Sequence, residues 1–164
     1  MSVYLRLGGA AIITLLAVFV GREYSAFADR RLSQLRGFLD LVSHFEREIS
    51  KFLASGDGLW RGFCNDALTE CGFLSALAER GSLSEAFRDC EDSLSLSGEQ
   101  ISMLGGFFGG FGGDYRDGEL RRIAAFRAEL EALIDRESDS LSKSVSVTKA
   151  LLLGGGLAMA VMVI

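Results

Sequence analysis

Two stretches without a charged residue, 7–21 and 150–164, bracket a middle that carries nearly all the charge of this chain. A mean hydropathy of +0.27 alongside 24% charged residues is possible only because apolar residues are concentrated in this way. Each stretch, about 15 residues long, makes about 22 Å of helix against a hydrocarbon core of about 30 Å. Arg6 and Lys149 can snorkel their cationic ends to the headgroups, which lengthens each span to about 20 residues. The expectation is a transmembrane helix over 2–21 and another over 146–164, flanked by Arg6, Arg22 and Lys149 and in contact with membrane lipids.

Small residues four apart, Ala10 with Thr14, Ala17 with Gly21 and the run Gly154-Gly155-Gly156 before Ala158 and Ala160, permit close helix–helix approach in lipid. Arg6 is alone on one side of the first span, whereas Arg22, Arg30, Arg31 and Arg36 follow it, so the domain is expected to face the cytoplasm. A rival reading takes Ala26-Phe27-Ala28 as a cleavage site and the first stretch as a signal peptide, which would make an exported or periplasmic helical protein. Arg22 and Glu23, between the apolar run and that site, speak against it.

The middle, 22–145, reads as a helical bundle. Leu32, Leu35, Leu39, Val42, Phe45, Ile49 and Phe52 recur at helical spacing, opposite Arg36, Asp40, Glu46, Arg47 and Lys51. Ser55-Gly56-Asp57-Gly58 ends that helix. A second helical region is expected over about 59–79 with a break near Gly72, and a third over about 83–94. Ser97 and Gln100 form a capping box for a fourth, and a last long helix starts at about Arg116 with Asp114 or Asp117 as N-cap. No segment alternates with period two, so the fold class is all-α with one transmembrane helix at each end.

Several function classes drop out on chemistry. A net charge of -5 without a basic face excludes nucleic acid as a partner. Cys64, Cys71 and Cys90 are odd in number and lack a CxxC pair, so they read as buried free thiols on helices. The stretch 105–113, glycine-rich with Phe107, Phe108 and Phe111, is no phosphate loop, since Asp114 follows where a lysine is needed. Its glycines read instead as letting two helix backbones approach, each at a cost of about 1 kcal/mol in helix propensity. The acidic residues Glu129, Glu131, Asp135, Glu137 and Asp139 lack the Glu-x-x-His pairs of helix-bundle metal sites and read as a solvated face. His44, with Glu48 one turn later, has no triad around it; the enzyme reading would use it as a base with a carboxylate. The chain is expected to be no enzyme and to need neither cofactor nor metal.

The order of features carries a resemblance. A short apolar N-terminal span leads to Arg31-Leu-Ser-Gln-Leu35 and a long helix closing on Glu48-Ile49. Gly81-Ser-Leu-Ser-Glu-Ala86 follows, then the aromatic and glycine stretch ending at Phe111-Gly112, an acidic turn with Arg116, and Lys149 before Ala-Leu-Leu-Leu-Gly154. Over nearly the whole chain this resembles the stage III sporulation protein AB family. It departs from the family pattern where Gly58-Leu59 replaces Pro-Leu, where the acidic residue after Gly112 is displaced, and where Glu119 replaces a glutamine. The resemblance implies a cytoplasmic domain similar to those of type II secretion inner-membrane platform proteins. It further implies a non-catalytic subunit of the channel between mother cell and forespore, in the outer forespore membrane on the mother-cell side. Such a subunit would couple a secretion-type ATPase, stage III sporulation protein AA, to other membrane subunits. Glu46, Arg47 and Glu48 on the first helix and Asp114, Asp117 and Glu119 in the acidic turn are the candidate partner-binding residues.

Overall fold

The computed structural model describes the backbone of residues 2–51, 59–113 and 115–163, and the side chains of 19, 22, 23, 25–51, 59–113 and 115–143. All regular structure among them is helical. Two long helices, α1 (Ser2–Lys51) and α6 (Arg116–Val163), enclose in sequence four shorter ones: α2 (Asp66–Glu70), α3 (Phe73–Arg80), α4 (Leu83–Cys90) and α5 (Gly98–Gly109). The chain divides into two compact units, Arg30–Glu137, and Met1–Asp29 together with Ser138–Ile164. Both uncharged stretches belong to the second unit and continue α1 and α6 as helix. Apart from Phe19, their side chains lie outside the described residues, as do those of Arg6 and Lys149. Among the described residues no helix is long and apolar enough to cross a membrane.

Within Arg30–Glu137 the stripe on α1 is wider than the spacing of its leucines suggested. Leu32, Leu35, Val42, Phe45 and Ile49 are buried as expected, but so are Phe38 and Leu41, while Leu39 is only half-buried. Helix α1 is therefore packed on more than one side, and Phe38 is at the centre of the core. Its ring centroid is 5.2 Å from Phe73 of α3, 5.9 Å from Phe87 of α4 and 5.8 Å from Phe108 of α5. Phe107 carries the aromatic cluster to α6 by stacking on Phe126 at 4.0 Å. Each such ring, fully buried, contributes about 1.5–3 kcal/mol.

The short helices are bounded by local chemistry. The region expected as helix from 59 begins as turns, because Asn65 is an extended N-cap whose Oδ1 accepts from the Leu68 amide at 3.2 Å. Gly72 and Gly81, at φ of 85° and 67°, adopt the left-handed backbone that separates α2, α3 and α4. Helix α4 ends at Cys90, earlier than expected, and gives way to a 3-10 turn, Glu91–Ser93. The Ser93 hydroxyl holds that turn by hydrogen-bonding the carbonyls of Cys71 and Cys90. The capping box of Ser97 and Gln100 is present at the start of α5. Asp117 lies in the first turn of α6 rather than at its N-cap. Asp114 and the turn 55–58 are outside the described residues.

Most of the glycine-rich stretch does not serve close helix approach; only Gly110 comes tight against another helix, where a Cβ would lie 2.6 Å from the Arg122 guanidinium of α6. A Cβ added at Gly106 or Gly109 would meet nothing within 4 Å, and one at Gly105 would touch only the Phe87 ring at 3.6 Å. A second close approach is at Gly37 of α1, where a Cβ would lie 2.8 Å from Asn65 Oδ1 and 3.0 Å from Leu68 Cγ. Helix α2 is thereby seated on α1. Arg116, the first residue of α6, donates to the carbonyls of Ile49 and Ser50 at 3.0 and 2.6 Å and caps the C-terminal end of α1. At the other end of this unit Gln34 accepts from the Ser95 amide, Arg31 donates to the Ser95 carbonyl, and Gln100 donates to Glu137.

Candidate docking groove

A groove of about 590 Å³ opens where the last turns of α1 face the turn before α2. Asp40, Ser43, His44, Glu46 and Arg47 of α1 form one wall, Gly62, Phe63 and Cys64 another, and Arg127 of α6 closes it. The turn is fixed by the Phe63 amide donating to the Trp60 carbonyl at 3.1 Å and by Gly62 at φ 81°. Phe63 is thereby held half-buried against the imidazole of His44, with ring centroids 5.4 Å apart.

The charges in the groove are unequally engaged. Arg127 donates to Glu46 at 2.5 Å across α1 and α6 and lies 3.6 Å from Glu131 on its own helix. Both partners of the Glu46 pair are partly solvated, which limits the pair to about 0–1 kcal/mol. Asp40 accepts from the Asn65 side-chain amide at 3.2 Å. His44 is half-buried, and its Nε2 is buried without a hydrogen-bond partner among the described residues. Arg47 is exposed and makes neither hydrogen bond nor ion pair among the described residues.

This geometry separates the residues marked from the sequence. Glu46 and Arg47 come together in the groove; Glu48 is half-buried and does not line it. Asp117 is exposed on the first turn of α6, where a carboxylate favours the helix N-terminus. Glu119 is corrected: only 4% exposed, it pairs with Arg122 at 2.7 Å and accepts from the Gly112 amide, so it braces the glycine turn from inside. It is not available as a docking group. Arg22 is exposed.

Arg127, Asp40 and Phe63 were not marked as site residues. Arg127 reads in sequence as one charge on a solvated helix face, and only its distance to Glu46, 81 positions away, reveals it. The asparagine before Asp66 is the one local signal for the turn that presents Phe63.

The cysteines also divide. Cys64 is exposed in the groove, and since it precedes α2 while Cys71 is that helix's C-cap, neither is on a helix as expected. Cys71 and Cys90 are buried, and burial pushes both thiols up, Cys90 to about 12 with the neighbouring Cys71 adding to the effect. Among the described residues no group of three or more His, Cys, Asp or Glu is placed to hold a metal ion.

Comparison of the chain with protein-family models, curated proteins and solved structures finds no match in any of the three.

Proposed function

We propose that this chain is a non-catalytic, membrane-anchored platform subunit of the stage III sporulation protein AB kind. Its bundle docks a secretion-type ATPase on the cytoplasmic side, and its two apolar ends hold it in the membrane beside other subunits. The observation that carries the reading is that the groove is built on the two helices that continue into the uncharged stretches. Glu46 lies on α1 and Arg127 on α6, and each of these helices runs on into one apolar end. A partner seated in the groove would thus bear on the chain's membrane-directed helices themselves.

The helix that runs unbroken across Ala26-Phe27-Ala28 supports an anchor over a cleaved leader, because a peptidase needs an extended segment there. Phe19, 64% exposed on α1, supports a lipid-facing surface on that stretch.

Co-expression of the full chain with the secretion-type ATPase, followed by extraction from membranes, tests the reading. Co-purification in stoichiometric amounts is expected. An ATPase that stays soluble and separate whenever both are present in membranes contradicts it.

A further inference from the structure

We infer that the groove takes an acidic segment of its partner, with Arg47 pairing a carboxylate and Phe63 receiving the apolar residue beside it. This rests on the docking reading above and names the chemistry of what docks. Both carboxylates in the groove are already engaged, Glu46 by Arg127 and Asp40 by the Asn65 amide. The guanidinium of Arg127 is shared between Glu46 and Glu131. Arg47 is left as the charge in the groove with no partner among the described residues, and its planar set of five N–H donors fits a carboxylate bidentately.

Two more cations extend the same side. Lys51 is one helical turn beyond Arg47, and Arg61 precedes Gly62 and Phe63 in the turn. Both are exposed, and neither makes an ion pair among the described residues. Of the four charged residues that line the groove two are acidic and two basic, so the unpaired Arg47 with Lys51 and Arg61 beside the lining is what favours an acidic ligand over a basic one. Phe63 supplies apolar surface directly beside these charges, which favours a peptide over a free inorganic anion.

The test uses the full chain in nanodiscs and a fluorescein-labelled glutamate-rich peptide carrying one leucine, followed by anisotropy. A lysine-rich counterpart, inorganic phosphate and a single-stranded oligonucleotide serve as competitors. The glutamate peptide should bind and be released by salt. Arg47→Glu should weaken it by about tenfold or more, Arg61→Glu should weaken it further, and Arg47→Lys should retain part of the affinity. Glu85→Lys, an exposed charge reversal on α4, should leave binding unchanged. Unaltered thermal unfolding of Arg47→Glu will exclude loss of the fold.

Equal or tighter binding of the lysine peptide, full competition by phosphate or oligonucleotide, or an unchanged affinity in Arg47→Glu each overturns the inference. Failure of the glutamate peptide alongside ATPase co-purification sinks the acidic-segment assignment and spares the platform reading. Peptide binding through Arg47 without any ATPase association sinks the platform reading and leaves the groove's chemistry standing.

Discussion

The same substitution, glycine to alanine, should have opposite effects at Gly37 and Gly106, two helical positions with different surroundings. Alanine gains about 1 kcal/mol over glycine in a helix interior, and this gain is common to both sites. At Gly106 nothing lies within 4 Å of the added Cβ, so Gly106→Ala should stabilise the protein by close to that full amount. At Gly37 the new methyl would lie 2.8 Å from Asn65 Oδ1 and 3.0 Å from the fully buried Leu68 side chain. Asn65 cannot give way freely. Moving its amide breaks the N-cap of α2, at about 1 kcal/mol, and its bond to Asp40. Overpacking against Leu68 costs a further 1–3 kcal/mol or so. Gly37→Ala should therefore be destabilising by about 1–3 kcal/mol net. At about 2–4 °C per kcal/mol for a chain of this size, thermal unfolding by near-ultraviolet circular dichroism should separate the two variants by several degrees on either side of wild type. A neutral or stabilising Gly37→Ala would refute the seating of α2 on α1. A destabilising Gly106→Ala would mean that the outer face of α5 is covered by something.

Other substitutions probe the remaining contacts. Arg116→Ala should free the last carbonyls of α1, cost about 1–2 kcal/mol, and speed hydrogen exchange at the end of that helix more than in the aromatic core. Glu119→Ala leaves the Gly112 amide and Arg122 without their acceptor and should cost about 1–3 kcal/mol in urea unfolding, whereas Glu119→Gln, which keeps an acceptor, should cost less. Thiol labelling of the native protein should be confined to Cys64, with Cys71 and Cys90 reacting only on unfolding. Because burial raises the Cys90 thiol from 9.0 to about 12 in the folded state, its contribution is intact below pH 9. The unfolded chain ionises first above that, so stability should fall between pH 9 and 12, and Cys90→Ala should flatten the slope.

What could be read from the sequence was local or strongly periodic. The capping box of Ser97 and Gln100 needs only four residues, and α1 announces itself through leucines at helical spacing. The depth of Phe38 and Leu41 was missed because a single-stripe reading assumes one buried side, and α1 is buried on more than one. The helix expected from 59 failed at Asn65, whose side chain competes for the backbone and starts α2 late. The glycine stretch was read as a helix–helix contact because its composition suggests one. Gly106 and Gly109 face open space and only Gly110 meets α6, through Arg122, while Gly37, the other glycine where approach is close, is inconspicuous in sequence. Glu119 looked like part of an exposed acidic turn, but the neighbouring Arg122 and the Gly112 amide draw it inside. The groove was least legible of all, since Arg47, Phe63 and Arg127 come from three separate segments and meet only through the packing of the bundle.

The most direct test of a membrane-held bundle facing the cytoplasm is cysteine accessibility in intact cells. Single cysteines at Thr69 and Ser102, both exposed, would be placed in a full-length background without Cys64, Cys71 and Cys90. Protection from a membrane-impermeant maleimide until the cells are lysed is the predicted result, and it puts the groove where an ATPase can reach it. Labelling at both positions in intact cells would place the bundle outside and contradict the platform reading.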